Sequence, residues 1–399
     1  MIITGKCASA VCYASVIEEA AVEQIRRMCG YEFTAGSRIR IMPDVHSGKG
    51  CTIGTTMTID EKAVPNIVGV DIGCGMYTVR LTQREADLAL VDDAAHFIPS
   101  GMNVWEGRKE SFDLTRLRCY RELKDTRRLE RSLGTIGGGN HFIEIDRAQD
   151  GPLYLVVHSG SRNLGKQVAE YYQALAVQLH QGREEYFEKR DALIAEYKAA
   201  GRRKEIQAAL KALHWTDKPL SVPEDLCWLY GKYFDDYMHD VAICQDFARR
   251  NRELIASILM QRSGLTGEST FHTVHNYIDA DEMILRKGAI AAHKGETVLI
   301  PVNMRDGSIL AVGRGNPEWN FSAPHGAGRL MSRSAARERL NMEQYAASMA
   351  GIYTTSVHLS TIDEAPMAYK SLSDIMNCIH DTVDIIDVMK PIYNFKAAG

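Results

Sequence analysis

Several features that would place a chain in a special structural class are missing from these 399 residues. No run of about 18 apolar residues is present, so the pattern predicts no transmembrane helix. The start lacks a basic stretch followed by an apolar one, which argues against a secretory signal. No internal repeat and no low-complexity linker interrupts the chain. We therefore expect neither a membrane protein nor a secreted protein nor a repeat array.

Paired cysteine motifs are also missing. The nine cysteines are scattered along the chain and none belongs to a CxxC pair. An odd number of cysteines in a long chain without a secretion signal is typical of a reducing compartment. The sequence therefore predicts a cytoplasmic protein without a disulfide framework.

A strongly basic composition, which would indicate nucleic-acid binding by itself, is absent as well. The formal net charge is −4, and charged residues make up 25% of the chain. Neither an extended basic stripe nor an aromatic platform is visible, which weakens a purely RNA-binding role. Any contact with RNA must therefore come from local basic clusters.

What the chain does have is enough apolar sequence, 45%, for a large core. Alternating residues predict strands, and longer periodic stretches predict helices. The predicted strands are 38–42, 142–145 and 153–157, with further short strands over 270–328. The predicted helices are 15–30, a helical insertion at about 166–255 with an exposed turn at 200–204, and stretches at 333–350 and 367–389.

Glycine-rich motifs are spread from residue 43 to residue 328. One site assembled from such distant segments favours a single interwoven unit over two separate domains. We therefore predict an α+β fold that forms one interwoven domain over 1–399, in which glycine-linked strands build the site and helices pack outside.

The motif VGVDIGCGM holds the first pair of candidate metal ligands, Asp71 and Cys74. Glycines allow the backbone to turn tightly there. A carboxylate and a thiolate together suit a divalent metal of borderline softness, such as Mn or Zn. A tight turn around a buried cysteine is the alternative.

Three further motifs each contribute a histidine. His141 follows the glycines of GTIGGGNHFIEI, His158 opens HSGSRNLG after an apolar strand, and His275 lies in VHN. Each histidine alone could be structural, and the glycine loop could instead hold a phosphate. Together with Asp71 and Cys74, however, they form a mixed ligand set. Arg162 of HSGSRNLG could clamp a phosphate through two hydrogen bonds.

His325, in the motif SAPHGAGRLMS, stands apart as a candidate nucleophile toward phosphorus. The turn Gly326-Ala327-Gly328 could open toward a nucleotide. Arg329 is predicted at the start of a helix, where backbone N–H groups favour anions. Another glycine-rich turn without chemistry is the alternative.

As an ordered set, these motifs resemble the RtcB family of RNA ligases over nearly the whole chain. The set is specific although single pieces are weak, and it comprises MPDVHSGKG, VGVDIGCGM, GTIGGGNHFIEI, HSGSRNLG, VHN, HGAGR, DEAPMAYK and a near-terminal lysine. The resemblance implies an RtcB-like fold, which is a single compact domain with central β sheets and a deep active-site cleft. It also implies a GTP- and Mn-dependent enzyme with RNA as its substrate.

The resemblance also assigns residues. It implies two adjacent Mn sites formed by Asp71, Cys74, His141, His158 and His275, with His325 as the guanylate carrier. It implies contacts to the guanine nucleotide from Asn140, Glu144, Asn276, Ser308, Tyr369 and Lys396. Arg162 and Arg329 would hold RNA phosphate, and Asp44 matches an acidic residue near the site.

The implied reaction joins an RNA 3′-phosphate or 2′,3′-cyclic phosphate to a 5′-hydroxyl end through a histidine–GMP intermediate. An archease-like activator is an implied partner. Two alternatives stay open: a metal-dependent phosphoesterase that does not ligate, and a catalytically silent RNA-binding paralogue. Departures from the family pattern at Asn163, Asn303 and 305–321 leave the nucleotide preference open.

Overall fold

The computed structural model describes residues 1–396, in which two large β sheets carry helices on their outer faces. The strands are β1 (Ile2–Thr4), β2 (Ser9–Cys12), β3 (Ile39–His46), β4 (Ile53–Thr58), β5 (Lys62–Ala63), β6 (Gly75–Leu81), β7 (Phe142–Arg147), β8 (Leu153–Ser159), β9 (Leu229–Tyr230), β10 (Gly267–Val274), β11 (Asn276–Asp279), β12 (Ile284–Lys287), β13 (Ala289–Ala291), β14 (Thr297–Asn303), β15 (Gly307–Gly313), β16 (Ser322–Pro324) and β17 (Val383–Lys396).

The α helices occur singly or in runs between groups of these strands. They are α1 (Glu19–Met28), α2 (Pro65–Val68), α3 (Leu88–Phe97), α4 (Thr126–Arg131), α5 (Arg162–His180), α6 (Glu184–Ala199), α7 (Ile206–Ala212), α8 (Gly231–Ser263), α9 (Arg333–Arg339), α10 (Met342–Ser348) and α11 (Leu372–Cys378). The fold is a single α+β domain, as the sequence predicts.

In both large sheets, strands that are neighbours in space are often far apart in the sequence. One has the order β1-β2-β3-β4-β12-β11, and the other has the order β10-β6-β8-β7-β17-β15-β14. All neighbouring strands of the second sheet pair antiparallel. Its central strands are apolar on the buried face because helices α3 and α8 cover them, so Ile143, Leu155 and Val157 form one core with Ile255 and Leu259.

The register of the second sheet determines where the site forms. His158, near the end of β8, pairs with Met76 on one side and with Phe142 on the other. Cys74 directly precedes β6, and His141 directly precedes β7. Three distant motifs therefore meet at one edge of the sheet.

The long helical region has its own architecture. It extends from Arg162 to Ser263, and its first and last helices, α5 and α8, pack into the main core. Between them, α6 buries only Phe187 and α7 buries no residue. The predicted turn at 200–204 is exposed and separates α6 from α7. No helix among residues 1–396 is long and apolar enough to cross a bilayer.

The predicted strands at 38–42, 142–145 and 153–157 are confirmed as β3, β7 and β8. The helix predicted over 367–389 is wrong, because only α11 is helical there and strand β17 begins at Val383. Pro391 lies inside β17 and would break a helix, and the β-branched Val383, Ile385 and Ile386 favour a strand. β17 joins β7 to β15 and thereby brings the chain's end to the site.

Candidate metal and nucleotide site

Five side chains meet at the edge of the second sheet. Asp71, Cys74 and His141 offer ligand atoms that all lie within 4.8 Å of one another, and so do Cys74, His158 and His275. Cys74 belongs to both groups, with its Sγ 3.4 Å from His141 Nε2 and 3.3 Å from His158 Nε2. The two groups are therefore adjacent and share the thiol.

Backbone carbonyls orient two of the imidazoles. His141 Nδ1 donates to the carbonyl of Ile136 at 2.9 Å, and His158 Nδ1 donates to that of Asn140 at 3.1 Å. A proton held on Nδ1 leaves the lone pair on Nε2, and it is Nε2 that faces the cluster in both residues. The tautomers are thus those that a metal ligand needs.

The carboxylate of Asp71 is held in place by close backbone contacts. Its Oδ1 accepts from the Ser161 N–H at 3.1 Å, and its Oδ2 lies 3.0 Å from His141 Nε2. Any Cβ at position 160 would collide with this carboxylate, so Gly160 is needed for the close approach.

The protonation of the cluster follows from its burial. Burial raises the pKa of Asp71, but the adjacent His141 imidazole and the charge of Arg162 outweigh it and hold the pKa at about 2. Burial and the Asp71 charge raise the pKa of the Cys74 thiol well above its usual value. Burial and neighbouring histidines lower the pKa of His158 and His275 well below 6.5. A metal would meet one carboxylate and neutral imidazoles, and would displace the thiol proton.

His325 lies next to the cluster but makes a different contact. Its Nδ1 donates to Asp44 Oδ2 at 2.8 Å, and its ring centroid lies 5.1 Å from that of His275. Asp44 is buried, whereas His325 lines an open cavity. The carboxylate therefore fixes the ring so that Nε2 is free, as a nucleophile requires.

The cavity extends from His325 and the two nearest cluster histidines toward the end of β17. Its walls include most of the residues that the resemblance assigns to the nucleotide: Asn140, Glu144, Asn276, Gly326, Ala327, Gly328, Tyr369 and Lys396. Arg329 also lines it. Both backbone and side-chain donors thus converge on one space beside the cluster.

The far end of the cavity is a buried ionic network. Glu364 Oε2 lies 2.7 Å from Lys396 Nζ and accepts from the Tyr369 hydroxyl at 2.6 Å. Arg333 completes the set at 2.5 Å from Glu364 Oε1. Burial raises the pKa of Glu364, but the charges of Lys396 and Arg333 outweigh it and hold that pKa at about 2. A polar planar ligand would find fixed donors here.

A pair of buried carboxyl groups lies on β7. Glu144 and Asp146 are two residues apart, so they share one face of the strand. Burial, followed by the Asp146 charge, raises the pKa of Glu144 well above 4.5, and burial raises that of Asp146 to about 6. Asn394 Nδ2 donates to Glu144 Oε2. Glu144 at the cavity can therefore carry a proton.

Some assigned residues lie elsewhere. Ser308 is fully buried beside Asp146 and does not line the cavity. The guanidinium of Arg162 turns inward, donating to the Gly101 carbonyl at 3.1 Å and to Thr135 Oγ1 at 3.3 Å. Arg329 is not at a helix start as predicted, because α9 begins only at Arg333 and Arg329 instead donates to the Tyr369 hydroxyl at 3.1 Å.

The sequence did not single out several residues that matter here. His46, which belongs to the motif MPDVHSGKG, lines the cavity and donates from Nδ1 to the Asp44 carbonyl at 3.1 Å. Glu364 lies within the quoted motif DEAPMAYK, and Asn394 lies two residues before Lys396 on one strand face. Asn251 and Arg252 in α8 had no local signal, because only the fold brings them behind the cluster.

The chain is similar to known proteins over most of its length. The model of the family described as tRNA-splicing ligase RtcB matches residues 24–125 and 115–397. The RNA-splicing ligase RtcB of Escherichia coli (strain K12) is 29% identical over 405 residues, covering 90% of each chain. The RNA-splicing ligase RtcB2 of another Escherichia coli strain is 29% identical over 410 residues, covering 96% of this chain and 93% of that protein.

A more distant relative is the tRNA-splicing ligase RtcB of Aeropyrum pernix. It is 26% identical over 415 residues, covering 85% of this chain and 83% of the relative. The ranges that the family model matches contain every residue of the cluster and the cavity, from Asp44 to Lys396.

Proposed function

This chain belongs to the RtcB family, and from that premise we propose that it is an RNA ligase that carries GMP on His325. The observation that supports the proposal best is the position of His325. It lies between a five-residue ligand set and a cavity with many polar donors, and Asp44 orients it at 2.8 Å. A purely structural histidine would need neither neighbour.

We propose that the cluster holds two Mn²⁺ ions. The mixture of carboxylate, thiol and three imidazoles suits a metal of borderline softness, and both oriented imidazoles present Nε2. Asp71, Cys74 and His141 would hold one ion, and Cys74, His158 and His275 the other. Bound there, the ions would neutralise charge that builds up on phosphate oxygens.

In the first proposed step, His325 Nε2 attacks the α-phosphorus of GTP. An N–P bond forms, the bond from the α-phosphorus to the bridging oxygen breaks, and pyrophosphate leaves with the bonding electrons. Asp44 accepts the Nδ1 hydrogen bond throughout and stabilises the positive charge that develops on the ring. Covalent capture splits one difficult transfer into two easier ones.

In the second step, an oxygen of the RNA 3′-phosphate attacks the same phosphorus, so that GMP moves to the RNA and His325 is released. A 2′,3′-cyclic phosphate would first be opened by water. In the third step, the 5′-hydroxyl attacks the activated 3′-phosphate, losing its proton, and GMP leaves. Positioning and charge neutralisation supply much of the rate in such transfers.

The other end of the cavity would bind the base. Protonated Glu144 offers a donor, and the ammonium of Lys396, which is ion-paired to Glu364 through Nζ, offers further donors. Because the neighbourhood of Asn303 departs from the family pattern, we propose GTP as the nucleotide only on the contacts whose residues match the family motifs. Asn303 itself is engaged with Asp306 at 2.8 Å.

Product analysis tests this proposal against its alternatives. Purified protein with MnCl₂ and GTP is incubated with one RNA that ends in a 3′-phosphate and another that begins with a 5′-hydroxyl. We expect a joined product that requires both ends and disappears in His325→Ala, while His96→Ala, an exposed histidine 55% accessible at its side chain, retains it. Hydrolysis of a cyclic phosphate without joining would support a phosphoesterase instead. RNA binding without either product would support a silent paralogue.

A further inference from the structure

Outside the cavity, the segment 108–131 carries a local surplus of positive charge that could contact RNA. It contains nine Lys and Arg against five Asp and Glu, a surplus of four positive charges in a chain whose formal net charge is −4. Such a local reversal of charge is what an RNA-binding surface needs when the whole protein is acidic. The sequence showed no long basic stripe because the charges are interleaved with core residues such as Leu117 and Leu129.

Four basic residues of this segment are exposed and form what we call the basic face: Arg116, Arg121, Lys124 and Arg127. Within residues 1–396 their side chains make no ion pair. Of the two carboxylates between them, Asp125 caps helix α4 by accepting from the Arg128 N–H at 3.2 Å. The basic face therefore has four cationic side chains without an ion-pair partner among residues 1–396, against the two carboxylates of Glu122 and Asp125.

Direct contacts join the basic face to the site. The backbone of Lys124 makes two hydrogen bonds with the side chain of Gln167 in α5. The Lys124 N–H donates to Gln167 Oε1 at 2.7 Å, and the Lys124 carbonyl accepts from Gln167 Nε2 at 3.1 Å. Gln167 lies five residues after Arg162, about 7.5 Å along the helix axis. Arg162 in turn lies against Gly137, in the loop that leads to His141.

The same connection exists on the other side of the segment. Arg128 donates to the Met102 carbonyl, and Gly101 donates to the Gly137 carbonyl at 2.7 Å. The segment is thus fastened to two of the three motifs that supply imidazoles to the cluster, those of His141 and His158. Asn163 and Lys166, both exposed, lie between Arg162 and Gln167 in the sequence of α5, and exposed Asn140 lines the cavity.

We propose that the basic face binds the phosphate backbone of the RNA a short distance from the end that enters the cavity. This inference deepens the proposed function and rests on it for the identity of the polymer. The contact would be independent of base sequence, because arginine and lysine on phosphate carry no sequence information. It would supply affinity for the body of the RNA, whereas the cavity selects the end.

The test compares two triple variants of the full chain that remove equal charge. R121Q/K124Q/R127Q removes three of the four charges of the basic face, and R203Q/K204Q/K211Q removes three charges from exposed, unpaired residues around α7 as the control. Binding of a fluorescent 20-nucleotide single-stranded RNA with a 3′-phosphate is measured without GTP between 50 and 300 mM salt. Because no turnover is involved, a failure of ligation does not affect the result.

We expect the basic-face variant to bind roughly tenfold more weakly at moderate salt, and its log–log salt dependence to be shallower by about 2, since each single-strand phosphate contact contributes about 0.7. The control variant should stay within twofold of the unaltered protein. Equal losses in both variants, or no loss in the basic-face variant, would overturn the proposal.

Discussion

At the scale of single residues, Asp44 is the contact on which the chemistry of His325 depends. Asp44→Asn keeps the size of the side chain but replaces the acceptor at Nδ1 with an amide that can donate instead. The ring would then favour the tautomer with hydrogen on Nε2, which cannot attack phosphorus. We expect the rate of GMP transfer to His325 to fall by about 10² or more, in the range of acid–base contributions.

Metal content separates this effect from damage to the cluster. Asp44 contacts no member of the five-residue set in the structure, so Asp44→Asn protein should bind as much Mn as the unaltered protein. A variant that transfers GMP at the normal rate would show that the Asp44 contact is unnecessary.

Cys74 is the second residue whose effect is specific. Because it belongs to both ligand groups, Cys74→Ser should weaken both metal sites, whereas His275→Ala should weaken only the group with His158. Dialysis against Mn²⁺ followed by metal analysis is expected to give two ions per unaltered chain, one for His275→Ala and fewer than one for Cys74→Ser. An equal loss in both variants would argue against a shared thiol ligand.

At the scale of elements, helix α8 supports the cluster from behind. Asn251 accepts from the N–H groups of Gly134 and Thr135 and donates to the Gly160 carbonyl. Its neighbour Arg252 donates to the carbonyls of Gly73 and Ser159 at 2.6 and 2.9 Å. Two adjacent helix residues thereby fix the turns around three of the ligand motifs.

Removing the Asn251 side chain should destabilise the protein. Asn251→Ala leaves two buried N–H groups without an acceptor, so we expect the free energy of unfolding to fall by about 2–5 kcal/mol. Urea denaturation measures this, with Arg249→Ala as the control because Arg249 makes only surface ion pairs on the same helix. If the two variants lose equal stability, the support from α8 is not what holds these turns.

Strand β7 gives a prediction for pH. Burial raises the folded-state pKa of Asp146 to about 6, so its contribution to stability is present below about pH 4 and is lost as the pH rises through about 6. Asp146→Asn lacks this titration. From pH 4 to pH 7, the free energy of unfolding of the variant should therefore rise relative to the unaltered protein, by up to about 3 kcal/mol. Metal-free protein in urea at several pH values measures it, and a constant difference would contradict the raised pKa.

The elements also show what sequence alone could provide. Cys74, His141 and His158 were identifiable because each lies at a strand end beside glycines, a local pattern. Asn251 and Arg252 were not, because a polar residue inside a helix shows its partner only when the fold is known. The helix expected over 367–389 failed because its apolar residues fit both periods, and the β-branched Val383, Ile385 and Ile386 were the available warning.

At the scale of the whole molecule, the site is assembled from residues as far apart as Asp44 and Lys396. The sheet register brings the motifs to one edge, and β17 closes the cavity. Arg162 and Ser308 match family motifs in sequence yet point away from the cavity, which no sequence spacing could reveal. Family membership therefore predicts the site as a set, while the structure sorts its members by what they contact.

Covalent labelling with GTP directly tests whether His325 carries GMP. Full-length protein is incubated with GTP labelled at the α-phosphate and with Mn²⁺, denatured, and examined for label on the polypeptide, beside His325→Ala and an ATP control. If His325 carries GMP, we expect an acid-labile label that requires both Mn²⁺ and His325 and does not form from ATP. No label on protein that contains metal and is not already guanylylated, or equal label on His325→Ala, would contradict the role of His325 as the GMP carrier.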